Sequence, residues 1–222
     1  MNVGQMRARG GPGARERARP DRPTQSERRA RTRAALLESA ASSLSRYGYG
    51  NLVLEQVASD AGYTRGALYH QFEGKEDLAL AVVEWVSLNW EREVGEPARH
   101  QRDPVAELIA LARGHAVFCR RDIARVMVAL RVEFSGQDHP VGRKVEEVSE
   151  TALRRVARLI SAGRKKGAIP AGPPARVVSL AFFGAVEGAV ITLSGQAPHD
   201  ELLAARVAAG VLGLRAAPPP VR

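Results

Sequence analysis

A single cysteine, Cys119, occurs in the 222 residues, which excludes an intramolecular disulfide and any multi-cysteine metal centre within one chain. Residues that favour a pleated surface are nearly as scarce, with five threonines, five isoleucines and eleven aromatics against abundant alanine, leucine, arginine and glutamate. That balance argues against sheet and for an all-α fold. Long uncharged runs are also missing. The longest weakly charged stretch lies between Arg176 and Asp200, but Glu187 falls in its middle and Gly184, Gly188 and Gly195 punctuate it. A membrane span needs about 20 mostly apolar residues, so this stretch reads as a buried helix of a soluble protein. No apolar segment follows the first arginines, so no secretory signal is expected and the cytoplasm is the default compartment. Neither a nucleophile elbow, a phosphate loop, a dinucleotide fingerprint nor a metal-spaced His/Glu cluster is present. The expectation is therefore no enzyme, no cofactor and no metal.

What the chain does have is positive charge, unevenly placed. Lys and Arg number 33 against 24 Asp and Glu, a formal charge of +9. Residues 1–33 carry ten arginines against Glu16, Asp21 and Glu27, a net of +7, which leaves +2 for the other 189 residues. Such an excess points to a polyanionic partner, either nucleic acid or an anionic membrane surface. Residues 1–23 are rich in Arg, Gly and Pro with almost nothing to bury, and are expected to form a disordered basic arm.

Order is expected from Thr24, where Thr24-Gln25-Ser26-Glu27 fits a capping box. The helix that follows keeps Ala34, Leu37, Ala41, Leu44 and Tyr47 at helical spacing and stops at Gly48. Two short helices follow, at about 54–61 and 64–72, separated by Gly62-Tyr63, the pattern of a helix-turn-helix. Thr64 can cap the second of them. Longer helices are then predicted at about 75–94, from Asp103-Pro104 to Cys119, at 122–134, from Pro140 to Gly167, at 174–194 and at 198–214. The expected organisation is a DNA-binding unit over 24–74, a helical body over 75–216 and a tail over 217–222, about nine helices in all.

The run GYGNLVLEQVASDAGYTRGALYHQFEGKEDL, from Gly48 to Leu78, resembles the DNA-binding signature of the TetR family of one-component transcriptional regulators. The pieces that carry the resemblance are Val57-Ala58, Ala61-Gly62, Gly66, Leu68-Tyr69-His70, Phe72, and Lys75 followed by an acid and Leu78. It implies that Thr64, Arg65, Gly66, Ala67, Tyr69 and His70 form the recognition helix. Arg65 and Ala67 would face base edges, and Tyr69 and His70 would reach phosphates. Lys75 sits at a helix N-terminus, where a cation opposes the macrodipole; the resemblance gives it a phosphate, and Glu76 and Asp77 offer a local alternative. The chain departs from the family at Leu52-Val53, where a Ser/Thr pair is usual, and Asn51 is then the nearest capping candidate.

For the remainder, the resemblance implies a small-molecule pocket in the C-terminal helices and a homodimer through the last two. Ala181, Gly184, Ala185 and Gly188 fit such an interface as a small-residue face. Trp85, Trp90, Phe118, Met127, Phe134, Phe182 and Phe183 either line an apolar pocket or are plain core. Glu187, an isolated carboxylate in an apolar run, serves either the ligand or an arginine across the dimer. His115 and Cys119 read as satisfied core residues. The function this implies is a repressor that binds a palindromic operator in double-stranded DNA as a dimer and is released by an unidentified small molecule. The alternative is a basic architectural or membrane-surface protein acting through its arm.

Overall fold

The computed structural model describes Met1, residues 24–193 and residues 195–214. The expected basic arm, Met1 apart, and the expected tail at 217–222 lie outside the described residues. Helix α1, Gln25–Tyr47, opens on the capping box: the Glu27 N–H donates to Thr24 Oγ1 at 3.2 Å, and the Thr24 N–H to Glu27 Oε2 at 2.6 Å. It closes at Gly48, whose φ of +75° is open to glycine at little cost. The buried face is Leu36, Leu37, Ala40, Ala41 and Leu44, while Ala34 and Tyr47 at the ends of the predicted stripe are exposed. Helix α2, Leu54–Asp60, turns through Gly62 into α3, Arg65–Tyr69.

Helix α4, Lys75–Trp90, does not end near Val94 as predicted; a π turn at Glu91–Gly95 and a short α5, Glu96–Arg99, continue the rod. Pro97 has no N–H for the helical ladder, and the Glu96 N–H reaches back five residues to the Glu91 carbonyl. Arg155 holds this turn, donating to the Gly95 carbonyl and to Glu107, both at 2.8 Å. Helix α6, Pro104–Phe118, starts on the Asp103 carboxylate, which accepts the N–H groups of Val105 and Ala106 at 2.9 Å. A 3₁₀ turn at Asp122–Arg125 leads into α7, Val126–Glu133, because Asp122 pairs with Arg46 of α1 and caps nothing. The long helices α8, Pro140–Lys165, α9, Ala175–Thr192, and α10, His199–Val211, complete the body.

No strand occurs among the described residues. Counting α4 to α5 as one bent rod, the helices number the expected nine there. Helix α1 packs on α4 and on the Asp122–Arg125 turn, α8 on α4, α6 and α9, and α10 on α6 and α9. Leu44, Phe72, Leu78, Leu108, Leu130 and Ile160 are essentially inaccessible, so one core joins the helix-turn-helix to the body. Each such side chain contributes about 1.5–3 kcal/mol on burial.

Candidate nucleic-acid interface and ligand cavity

Thr64 caps α3 through its hydroxyl, which accepts the Ala67 N–H at 3.2 Å. Leu68 and Phe72 point into the core, so Thr64, Arg65, Gly66, Tyr69 and His70 are left facing solvent, with Ala67 half-buried between them. Arg65 lies 3.0 Å from Glu55 of α2, and its guanidinium stands 5.3 Å from the Tyr69 ring centre. An exposed pair of this kind is worth less than about 1 kcal/mol, so a better acceptor can displace Glu55.

The Lys75 ammonium stands 4.7 Å from the Tyr49 ring centre and donates to the Gly50 carbonyl at 2.8 Å. The alternative that Glu76 and Asp77 offset it is met only in part: both lie in the first turn of α4, but the Asp77 carboxylate accepts the Glu73 N–H. The expectation that Asn51 caps α2 is overturned. Its amide donates to the Tyr47 carbonyl at 3.0 Å, and the cap position falls on Val53, which makes no side-chain bond. Asn51 comes two residues too early to reach the first turn. Leu52 is core, and Val53 is half-exposed.

A contact that the sequence did not reveal joins this corner to the body. Glu133, at the end of α7, accepts the backbone N–H groups of Tyr49 at 2.5 Å and Gly50 at 2.6 Å. The Tyr49 ring sits edge-on to Phe134 and His139, at 5.3 and 5.1 Å between ring centres. Burial, reinforced by Glu76 and Glu133, pushes the Tyr49 phenol up. Phe134, expected in the ligand pocket, instead stacks on His139 at 4.3 Å in this junction.

A cavity of about 630 Å³ opens among α4, α6, α7, α8 and α9. Of the expected lining residues, Trp90, Phe118, Met127, Phe183 and Glu187 are there. Trp85 is not; it borders a surface groove beside Ser39, Arg46 and Asp122. Five residues along an α-helix turn a side chain by about 140°, so Trp85 and Trp90 cannot share a wall. Phe182 is core for a similar reason, pointing inward where its neighbour Phe183 faces the cavity.

His115 lines the cavity as well as being partnered. Trp90 Nε1 donates to its Nδ1 at 3.1 Å, which places the ring proton on Nε2, 3.5 Å from Cys119 Sγ. Burial holds the imidazole pKa down, with Glu187 acting in the opposite sense. Burial likewise pushes the Cys119 thiol up to about 12, which leaves it an unreactive thiol. Arg131 of α7 reaches Ser149 Oγ at 2.9 Å at the cavity wall. Glu187 is half-buried and makes no hydrogen bond or ion pair among the described residues.

Helix α9 departs from the expected buried helix. It is long and apolar enough to cross a membrane by length and composition alone, yet only 28% of it is buried within the chain. Its outer face shows Val177, Leu180, Ala181, Gly184, Gly188 and Ile191, continued on α10 by Leu202 and Leu203. Side chains added at Gly184 or Gly188 would meet nothing within 4 Å.

Residues 36–82 match the family model described as bacterial regulatory proteins, tetR family. The HTH-type transcriptional regulator CymR of Pseudomonas putida is 39% identical over 67 residues, covering 30% of this chain and 33% of CymR. The A-factor receptor protein of Streptomyces griseus is 26% identical over 157 residues, covering 68% of this chain and 52% of that protein. The matches thus span only about a third and about half of these two relatives. Among solved structures, AibR in complex with isovaleryl coenzyme A and operator DNA has the same fold, with a TM-score of 0.63 at 18% identity, covering 82% of this chain and 96% of AibR.

Proposed function

From the membership of this chain in the tetR family of bacterial regulatory proteins, we propose that it is a ligand-responsive transcriptional repressor, acting in the cytoplasm and catalysing no reaction. The observation that carries this reading is the exposed face of α3, capped by Thr64 and presenting Arg65, Tyr69 and His70 away from the core. In this role Arg65 and Ala67 meet base edges in the major groove, and Arg65 exchanges Glu55 for a guanine. Thr64, Tyr69, His70 and Lys75 meet phosphates, and Gly66 lets the helix approach. The DNA-binding unit is residues 24–74 and the remaining helices form the body.

Two copies associate through the open faces of α9 and α10 as a four-helix bundle. The pair places its two α3 helices about 34–36 Å or a multiple apart and so reads a palindrome. A small molecule with a largely apolar body enters the cavity, whose volume falls in the usual range for such sites, about 300–1,000 Å³. AibR was crystallised with both an acyl coenzyme A and its operator, which supports a regulator of this kind. A footprint tests the reading on DNA flanking the chain's own gene. A protected palindrome is expected; salt-labile protection without sequence preference would instead indicate a general DNA coat.

A further inference from the structure

The junction between Glu133 and the α1–α2 turn is built more tightly than docking of two helical units requires. Both oxygens of one carboxylate are used, each on a different backbone N–H, 83 and 84 residues away in the chain. The carboxylate lies close against the turn: a Cβ at Gly48 would lie 2.7 Å from Glu133 Oε2, and one at Gly50 3.4 Å from Oε1. The same turn holds Lys75, through the Gly50 carbonyl and the Tyr49 ring. Glu133 therefore fixes, through two residues, a cation proposed to touch DNA and the segment from which α2 and α3 depart. Charge-assisted bonds from a carboxylate to backbone N–H groups are among the stronger ones available.

The helix that carries Glu133 also forms a wall of the cavity. Met127 and Arg131 of α7 both line it, and Arg131 lies two residues from Glu133. Arg131 is tied to α8 through Ser149, so anything that shifts that tie shifts the end of α7. We propose that Glu133 is a positioning residue that latches the DNA-binding unit to the body, and that the state of the cavity acts on DNA binding through α7 and this latch. The proposal rests on the repressor reading for its consequence on DNA, while the latch itself is testable without DNA.

Two measurements on the full chain decide it. Amide hydrogen exchange of Tyr49 and Gly50 is compared in the wild type, Glu133→Ala and Glu133→Gln. Exchange at both amides should be at least about tenfold faster in Glu133→Ala, and intermediate in Glu133→Gln, which keeps one acceptor oxygen but not the charge. Unchanged exchange at these two amides in Glu133→Ala would overturn the latch. Binding is then measured on a duplex selected from a random pool by the wild type. Glu133→Ala should lose about tenfold or more in affinity at a temperature where its circular dichroism remains native, with Glu133→Gln partly restored.

Arg131→Ala supplies the link to the cavity. It should alter affinity in the wild-type background and have no further effect in Glu133→Ala, since both act on one path. Additive effects, or none from Arg131→Ala, would overturn the coupling. Failure of the wild type to select any duplex would instead count against the repressor reading, with the exchange result still deciding the latch.

Discussion

Arg65 and Lys75 carry the same charge but stand in different surroundings, and their substitutions should differ in kind. Arg65 projects from α3 with a fork of donors suited to a guanine edge, restrained by a weak exposed pair with Glu55 and by the Tyr69 ring. Arg65→Ala should therefore cost about 1–3 kcal/mol on the preferred operator and relax the preference at one base pair per half-site. Lys75 is a point charge at the start of α4, so Lys75→Ala should weaken binding to all sequences by a similar factor. Titrations of both variants on a matched and a base-substituted operator separate the two roles; equal losses on both duplexes for Arg65→Ala would make it a phosphate contact. A third residue-scale outcome concerns Asp200, which is buried at the start of α10 and held by Arg120 through two bonds of 2.8 Å. The guanidinium keeps the Asp200 carboxyl below its ordinary value, against the opposing effect of burial. A carboxylate depressed in this way stabilises the fold above its unfolded pKa, near 4, and that contribution fades as the pH falls through the lower folded value. Arg120→Ala should cost about 2–4 kcal/mol at pH 7 by stranding a buried charge. The deficit should shrink below about pH 4, where protonation relieves it. Urea unfolding at both pH values tests this, and a constant deficit would argue against the pairing.

At the scale of helices, α9 has a largely apolar outer face that one chain leaves open, and this is where the proposed dimer is most easily broken. Ala181→Glu places a charge in the middle of that face, at an exposed residue that does not itself line the cavity. Sedimentation should then show a shift toward the monomer, and affinity for a two-half-site operator should fall steeply because the second half-site is no longer engaged at high effective concentration. An unchanged sedimenting species would move the interface elsewhere. The helices themselves were legible from caps and punctuation: Thr24 with Glu27, Gly48, Gly62, Thr64, and Asp103 before Pro104 all act in the structure as their chemistry suggests. Spacing alone was less informative about what a face meets. It sets Trp85 and Trp90 on different faces but could not say which of them meets the cavity, or assign Phe134 to the junction instead of the cavity, because periodicity says which residues lie together and not which neighbour they lie against. The π turn was hidden for a related reason, since it depends on Arg155 and Glu107, both more than ten residues away in sequence. Glu133 gave no local signal at all; its role comes from two N–H groups on a turn more than eighty residues earlier.

For the whole molecule, the uneven charge is the property still to be placed. Residues 1–23 carry six arginines against Glu16 and Asp21, a net of +4, immediately before the helix that opens the DNA-binding unit. If these arginines lie along phosphates or in a minor groove, each phosphate neutralised adds about 0.9 to the steepness of log K against log salt. Removing residues 1–23 should then flatten that dependence. Backbone contacts carry little base information, so affinity should fall for operator and random duplex alike and their ratio should stay nearly constant. An arm that never touches DNA gives a different result, an unchanged slope with a modest loss of long-range attraction at low salt. Fluorescence anisotropy of the full chain and of the shortened one, at several salt concentrations on both duplexes, distinguishes these outcomes. Identical slopes would remove the arm from the DNA-binding surface, and a collapsed operator-to-random ratio would show that it reads sequence.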